Sequence, residues 1–278
     1  MIKSILIPTD GSANSNIAVA YGIYLATTGN AEINGLNVVD IRALEGPFLS
    51  DISGSLGFIP LQNYLPKYQQ ILEERANDIL ESFRKTCEER SIKPKTKRLT
   101  GIVPNIIAEE GKKVDLIIMA QRGEHAQWSS GLLGSTTESV VRKSPRPVMV
   151  TPQQFRPFTR VLVAYDGSSE STKALKFACE FVYLFKVTLR TVVVSSSEEK
   201  GREIAREAEE FISPYHLDTD VTCLSGEACE EILGFSENNS IDLIIMGAFG
   251  HSRVHEMLLG GTTAYIMRKS HIPVLLSR

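Results

Sequence analysis

Asp242-Leu-Ile-Ile-Met246 is followed by Gly247-Ala-Phe-Gly250, nine further residues and Gly260-Gly-Thr-Thr263, and this stretch decides the fold. Its first part is an apolar run typical of a buried strand, and its last part leads into a helix-like pattern that ends at Arg-Lys-Ser. Glycines between a strand and a helix start let the backbone approach a phosphate, which the helix amides and dipole attract. The stretch therefore predicts an α/β unit with a phosphate-binding loop.

An imperfect copy of this stretch occurs earlier in the chain. Asp115-Leu-Ile-Ile-Met119 precedes Ala120-Gln-Arg-Gly123, ten residues and Gly134-Ser-Thr-Thr137. Self-similarity over this distance is typical of a duplicated domain. The chain is therefore predicted to contain two copies of one fold.

The beginnings of the two copies match as well. Ile5-Leu-Ile-Pro-Thr-Asp-Gly-Ser12 parallels Val161-Leu-Val-Ala-Tyr-Asp-Gly-Ser168. A chain of 278 residues divides into two domains that each bury a core of ordinary size. Prolines and glutamines interrupt the apolar pattern near 152–159, so the predicted domains are 1–152 and 159–278.

Within each copy, strand and helix patterns alternate. In the second copy the predicted strands are 160–165, 187–194, 219–224, 242–246 and 273–277, and the predicted helices are 169–185, 198–215, 227–238 and one from about residue 260. The alternation predicts a five-stranded parallel sheet in each domain, with right-handed crossovers and helices on both faces. Ligands of such sheets bind beyond the carboxyl ends of the strands, where the strand order reverses.

The first copy has an insertion at about 41–66, between a strand at 33–39 and a helix that begins near Lys67. Glycines and prolines alternate there with apolar residues, and inserted loops of this length usually serve a function. Two interpretations stay open: a lid over a site, and a surface flap packed on the neighbouring domain.

Composition excludes several classes of protein. The net charge of −3 is spread along the chain, which argues against a nucleic-acid-binding face. No apolar run reaches membrane-spanning length, and the first one is too short for a signal peptide. The four cysteines and five histidines lack the spacing of a metal site, so we expect a cytoplasmic protein with reduced thiols and no structural metal.

Together, these motifs resemble the universal stress protein family in its tandem two-domain form. The resemblance rests on the strand ending in Pro8-Thr-Asp-Gly-Ser12, on the Gly-x-x-Gly-x9-Gly loop and on the terminal Pro273-Val-Leu strand, and it covers nearly the whole chain. It implies Rossmann-like domains, flavodoxin-like and of the adenine nucleotide alpha hydrolase-like kind. Some family members bind ATP and others lack the loop and do not.

In the second domain the resemblance implies an adenine nucleotide, ATP or AMP, with or without Mg²⁺. The candidate nucleotide-binding residues are Ala164, Tyr165, Asp166, Val192, Gly247, Gly250, His251, Arg253, Gly260, Gly261, Thr262 and Thr263. Asp166 is equally suited to a turn and a helix cap, and both roles stay open. Gly261 stands where the family usually has Ser or Thr, while the backbone amide is retained.

The first domain departs from the family pattern in three ways. Ala120 replaces the first glycine, the second gap is one residue longer, and Glu124 places a carboxylate where it disfavours a triphosphate. The candidate residues there are Pro8, Thr9, Asp10, Val38, Ala120, Arg122, Gly123, Gly134, Ser135 and Thr136. We expect this site to be degenerate, binding an AMP-like ligand or nothing ahead of ATP.

The favoured function is a cytosolic stress-response regulatory protein that binds ATP or AMP, mainly in the second domain. The alternatives are a slow ATPase or adenine-nucleotide hydrolase and an interaction scaffold with both sites empty. No catalytic residue is assigned, because hydrolysis needs a positioned water, a base and usually a metal, and the sequence offers no convergent carboxylate or lysine set.

The resemblance also bears on assembly. In single-domain relatives the last strand mediates dimerisation, which implies that Pro147–Val150 and Pro273–Leu276 pair within this chain and cover the sheet edges. The chain would then be its own pseudo-dimer. A further homodimer and an unknown protein partner remain open, whereas nucleic acid and membrane are not expected partners.

Overall fold

The computed structural model describes residues 2–42, 61–124, 133–248 and 259–277. Its first half contains β1 (Ser4–Pro8), α1 (Ala13–Gly29), β2 (Glu32–Asp40), α2 (Leu61–Glu88), β3 (Lys95–Gly101), α3 (Val103–Gly111), β4 (Leu116–Ala120), α4 (Ser135–Lys143) and β5 (Val148–Thr151). Its second half contains β6 (Arg160–Ala164), α5 (Ser169–Phe185), β7 (Thr188–Val194), α6 (Glu198–Ile212), β8 (Thr219–Leu224), α7 (Ala228–Asn238), β9 (Leu243–Gly247), α8 (Gly261–Lys269) and β10 (Val274–Ser277).

The strands form one sheet in the order β3-β2-β1-β4-β5-β10-β9-β6-β7-β8. Within each half the five strands are parallel, and β5 and β10 join the halves as an antiparallel pair with Leu275 opposite Met149. The predicted fold class and the predicted pairing of the two terminal strands within the chain are both confirmed.

The helices cover both faces of the sheet, as predicted. Strand residues alternate between the faces: Ile5 and Ile7 belong to one buried cluster and Leu6 to the other. Residues of α1, α2, α5 and α6 fill the first cluster, and residues of α3, α4, α7 and α8 fill the second. Each cluster runs through both halves, so the hydrophobic core continues across the β5–β10 junction.

The aspartates that begin the two repeated apolar runs fix the start of a neighbouring strand. Asp242 Oδ2 accepts hydrogen bonds from the amides of Thr159 (2.8 Å) and Arg160 (3.0 Å). Asp115 Oδ2 does the same for Lys3 (2.8 Å) and Ser4 (3.0 Å) in the first half. The repeated Asp-Leu-Ile-Ile-Met pattern therefore sets β9 beside β6 and β4 beside β1.

Two helix boundaries differ from the sequence predictions. α2 begins at Leu61 and contains Pro66, whereas the sequence prediction placed its start near Lys67. α6 ends at Ile212 and continues as a tight 3-10 turn over Ser213–Tyr215, since Pro214 lacks the amide that an α-helix would use. The predicted lid or flap lies largely at 43–60, outside the described residues.

Candidate functional site

The candidate residues that the structure describes gather at the two places where the strand order reverses. These lie between β1 and β4 in the first half and between β6 and β9 in the second. At each place, the turn after the first strand and the start of the fourth helix lie at the carboxyl ends of parallel strands, where ligands of such sheets bind.

The Asp-Gly-Ser turn after β6 has a fixed local geometry. Gly167 has a φ of +78°, a left-handed conformation that favours glycine. Ser168 caps α5 by accepting a hydrogen bond from the Ser171 amide (3.2 Å), and Asp166 Oδ1 accepts one from the Ser168 amide (3.0 Å). Asp166 therefore has a turn-stabilising role, and the same contacts recur at residues 10–15.

Gly247 and Gly261, both assigned to the glycine loop, lie in different surroundings. A Cβ atom on Gly247 would lie 3.1 Å from the carbonyl carbon and the Cβ of Glu170, so this glycine allows β9 to pack against the start of α5. Apart from its chain neighbours and the backbone of its own helix, no described atom lies within 4 Å of a Cβ placed on Gly261. The Thr263 hydroxyl donates to the Gly247 carbonyl (3.4 Å) and so ties α8 to β9.

The candidates on β6 and β7 are largely engaged in the sheet and its core. Ala164 pairs with Val192, whose carbonyl accepts a hydrogen bond from the Tyr165 amide (2.9 Å). The Tyr165 side chain is buried and its hydroxyl donates to Glu207 Oε1 (2.7 Å) on α6. Burial raises the pKa of Tyr165, and the Glu207 carboxylate raises it further. The Tyr165 side chain therefore supports α6.

Strand register shows that Val38 and Val192 are not equivalent positions. Pro8 pairs with Leu36 and Ala164 pairs with Val192, so Leu36 is the counterpart of Val192. The counterpart of Val38 is Val194, which sequence reasoning missed, and both are half-buried near the carboxyl ends of their strands. Asp10 and Asp166 are equivalent positions, and their separation in the sequence is the offset between the two halves. The same offset applied to Val38 leads to Val194.

In the first half, Asp10 is bound to the chain's own loop. Asp10 Oδ2 accepts a hydrogen bond from the Glu124 amide (2.7 Å), and a Cβ on Gly123 would lie 2.7 Å from the same oxygen. Burial raises the pKa of the Asp10 carboxyl, but hydrogen bonds from Ser12, Glu124 and Ser15 together hold it below its ordinary value of 3.8. The carboxylate is thus ionised and already engaged.

Glu124 itself forms an ion pair with Arg75 of α2, and both side chains are about half exposed. An ion pair this exposed contributes little to stability. It shows that the positive charge beside Glu124 comes from Arg75. Sequence reasoning missed Arg75, because nothing in the sequence places that part of α2 beside the loop.

The other first-half candidates form a compact turn. The Gly134 amide donates to the Gln121 carbonyl (3.0 Å), and the Thr137 hydroxyl donates to the Ala120 carbonyl (2.9 Å). Arg122 Nε is buried and has no hydrogen-bond partner within the described part of the chain. Of the remaining candidates, Thr9 is buried, Pro8 and Thr136 are half-buried, and Ser135 is exposed.

Gln121 also links the two halves. Its side-chain amide donates to the Met267 carbonyl in the last turn of α8. Carbonyls in the last turn of a helix have no amide donor within that helix, so Gln121 supplies one. The loop of the first half therefore supports the helix that begins at the candidate site of the second half. The sequence carries no signal for this contact.

Three candidates, Gly250, His251 and Arg253, lie outside the described residues. Within the described ranges, no group of three or more His, Cys, Asp or Glu side chains is placed to hold a metal ion. In the same ranges, no helix combines the length and apolar character needed to cross a membrane.

Comparisons with known proteins agree on one family. The family model described as Universal stress protein family matches residues 1–152 and 192–278. The chain is 33% identical to Universal stress protein Slr1230 of Synechocystis sp. over 287 aligned positions, which cover 100% of both chains. It is 32% identical to Universal stress protein MJ0577 of Methanocaldococcus jannaschii over 158 positions, covering 54% of this chain and 94% of that protein. The crystal structure of a universal stress protein from Archaeoglobus fulgidus matches with a TM-score of 0.77 and 27% identity, covering 99% of this chain and 96% of that one.

Proposed function

The chain belongs to the universal stress protein family, and from this we propose that it is a cytosolic regulatory protein that binds ATP or AMP in its second half. The family predicted from the motifs is confirmed by these matches. We also propose residues 1–152 and 159–278 as its two domains, each a separate candidate for nucleotide binding.

The observation that carries the proposal is the start of α8. The first helical hydrogen bond runs from the Ala264 amide to the Gly260 carbonyl (2.9 Å), so the amides of residues 261–263 have no acceptor within the helix. Gly260 at the N-cap has no side chain to accept from them, whereas Ser168 supplies that acceptor to α5. Amides at a positive helix end are suited to a phosphate.

Around this helix start, we assign roles by position. The amides of Gly261 and Thr262 would hold phosphate oxygens, and Gly261 brings no Cβ atom to the approach. Asp166 and Val194, at the ends of β6 and β7, would border the nucleoside. The Thr263 hydroxyl is not assigned to the nucleotide because it donates to Gly247.

The contacts of Asp10 and the charge of Glu124 support weak nucleotide binding in the first half. Its carboxylate already accepts hydrogen bonds from the Ser12 and Glu124 amides, which leaves it less accepting capacity for a ligand. Glu124 adds a negative charge next to the place for phosphates. We therefore propose that the first half binds ATP weakly or not at all.

The test uses the full chain, isothermal titration calorimetry with ATP and AMP, and mass spectrometry of nucleotide released on denaturation. Gly261→Val adds a branched side chain at a position free of described contacts, and Ser135→Val is the matched change at the start of α4. We expect Gly261→Val to weaken binding at least about tenfold, because it blocks the phosphate amides, and Ser135→Val to leave binding nearly unchanged.

Thermal unfolding of both variants serves as the control for folding. Absence of any bound or released adenine nucleotide in the wild-type protein would refute the proposal. Loss of binding in Ser135→Val alone would assign the site to the first half instead.

A further inference from the structure

Gln121 of the first half contacts the end of the helix whose start is the candidate phosphate site. Because β5 and β10 are antiparallel, the carboxyl ends of the first-half strands lie at the edge of the sheet where the second-half strands begin. Gln121 follows β4 at that edge, and its side-chain amide donates to the Met267 carbonyl in the last turn of α8. α8 therefore connects the loop of one half to the candidate site of the other.

The backbone of Gln121 is held by hydrogen bonds on both sides. Its amide donates to the Thr151 carbonyl at the end of β5 (3.0 Å), and its carbonyl accepts from the Gly134 amide at the start of α4 (3.0 Å). The side chain is half-buried. A fixed backbone and partial burial limit the entropy that the side chain loses when it donates to α8. Gln121 is therefore placed to make this contact without reordering the loop.

The contact enters one particular chain of hydrogen bonds in α8. Because each helical amide donates to the carbonyl four residues earlier, the peptide groups of an α-helix form chains that advance by three residues. One chain of α8 runs through the carbonyls of residues 267, 264 and 261 and ends at the Thr262 amide, which has no acceptor within the helix. The donor from Gln121 thus lies at one end of this chain, and an amide proposed to hold a phosphate oxygen lies at the other.

The chain that ends at the Gly261 amide receives its donor from a different place. It runs through the carbonyls of residues 266, 263 and 260. The first of these carbonyls accepts from the Ser270 amide (2.8 Å), and the last accepts from the Ala264 amide (2.9 Å). Of the two amides assigned to phosphate oxygens, Thr262 is therefore the one whose chain receives its donor from the other half.

We propose that Gln121 is a positioning residue for phosphate binding in the second half, because it holds the end of α8 and polarises the chain that ends at Thr262. A donor at one end of a hydrogen-bond chain polarises each peptide group along it, by roughly 10–30% per bond, and makes the amide at the other end a stronger donor. A donor at the carboxyl end of a helix also complements the helix dipole. This inference rests on the proposed function, which places the phosphate at these amides.

The counterpart of Gln121 in the second half carries no donor. The Ala248 amide donates to the Ser277 carbonyl (2.9 Å) at the end of β10, as the Gln121 amide does to Thr151 at the end of β5, so the two positions are equivalent. The methyl side chain of Ala248 cannot donate to the end of α4. The contact is thus asymmetric, and it favours phosphate binding at α8 over phosphate binding at α4.

The test compares Gln121→Met, which keeps the length of the side chain and removes the donor, with Gln153→Met, the same change at an exposed position after β5. Isothermal titration calorimetry of the full chain measures the affinities for ATP and for adenosine. We expect Gln121→Met to weaken ATP binding about two- to fivefold. Adenosine binding should stay unchanged because adenosine carries no phosphate, and Gln153→Met should change neither affinity.

Gln121→Glu is a second variant with a side chain of the same size. Its ionised carboxylate cannot donate, and it places a negative charge beside the negative end of α8. ATP binding is therefore expected to weaken at least as much as in Gln121→Met. Thermal unfolding checks that each variant is folded.

A measurement without nucleotide separates this inference from the proposed function. In the isotope-labelled, nucleotide-free chain, the NMR chemical shift of the Thr262 amide proton reports the polarisation of its chain. We expect Gln121→Met to move this proton upfield, and by more than the Gly261 amide proton. If the wild-type protein binds no nucleotide, the proposed function fails, and the Thr262 shift still tests whether Gln121 polarises α8.

Three results would overturn the inference. The first is an ATP affinity that Gln121→Met or Gln121→Glu leaves unchanged. The second is an equal loss of ATP and adenosine binding, which would show that Gln121 supports the fold of the site in general. The third is a change at the Gly261 amide proton as large as the change at Thr262.

Discussion

At the scale of single residues, the two glycines that flank the candidate loop have separable roles. Gly247 lies against the backbone of Glu170 and Ser171, which cannot move aside without shifting the start of α5. A Cβ atom on Gly261 would meet no described atom beyond its chain neighbours and its own helix backbone. A glycine pattern that looks uniform in the sequence therefore combines a packing requirement with a candidate binding position.

We expect Gly247→Ala to lower the free energy of unfolding by about 1–3 kcal/mol, because its methyl group overpacks the β9–α5 contact. Gly261→Ala is expected to change it by less than about 0.5 kcal/mol. Urea unfolding of both variants measures the difference. Equal destabilisation would contradict the packing role of Gly247.

Asp10 makes a second residue-scale prediction, which concerns pH. Its pKa is lower in the folded protein than the ordinary 3.8, so its stabilising contribution is fully present above pH 3.8 and is lost as pH falls through the lower folded value. Asp10→Asn is therefore expected to lower the free energy of unfolding by about 1–3 kcal/mol at pH 7, through weaker hydrogen bonds to Ser12 and Glu124.

The measurement is urea unfolding of wild type and Asp10→Asn from pH 7 to below pH 3.8, with Asp78→Asn, at an exposed position on α2, as control. The difference between wild type and Asp10→Asn should shrink at the acidic end. A difference that stays constant with pH would show that the charge of Asp10 is not responsible.

At the scale of elements, the starts of α5 and α8 differ in the hydrogen-bond acceptors available to their first amides. Ser168 caps α5 from within the chain, whereas Gly260 leaves the first amides of α8 without a side-chain acceptor. The start of α4 has the same kind of N-cap, Gly134, so an uncapped helix start marks the equivalent place in both halves.

Ser168→Ala is expected to lower the free energy of unfolding by about 1 kcal/mol, because the Ser171 amide loses its acceptor. Ser168→Asp restores an N-cap acceptor and should recover most of the loss. Urea unfolding of both variants provides the measurement. If Ser168→Asp is as unstable as Ser168→Ala, loss of the cap is not the cause.

Several elements were predictable from sequence because their signals are local. The bounds of α5 and β8 agree with the predicted 169–185 and 219–224, since a capping serine and a short strand pattern mark them. The predicted start of α2 near Lys67 was wrong, because the helix begins at Leu61 and includes Pro66. Local patterns identify an element more reliably than they fix its end.

At the scale of the whole molecule, the two halves share one ten-stranded sheet and two buried clusters that each cross the junction. Cys87 of α2 and Cys179 of α5 both lie in one of these clusters, one in each half. Burial raises the pKa of the Cys87 thiol to about 11 and that of Cys179 to about 12. Both thiols are therefore unreactive while the fold is intact.

Because the halves share their core, we expect Cys87 and Cys179 to become reactive at the same urea concentration. A short pulse of N-ethylmaleimide at increasing urea, followed by peptide mass spectrometry, measures this, and the exposed Cys223 serves as the control for complete labelling. Labelling of one buried thiol while the other stays protected would show that the halves unfold independently.

The sequence by itself determined the α/β alternation, the duplication, the family and the position of the candidate loop, because these depend on short periodic patterns and on their repetition. Only the tertiary structure decided that Asp10 holds the Glu124 amide, that Gln121 supports α8 of the other half, and that residues 152–159 cover α1. Each of these contacts joins residues that are far apart in the chain. Such contacts depend on strand order and helix docking, which emerge when the whole sheet is packed and not from any local pattern.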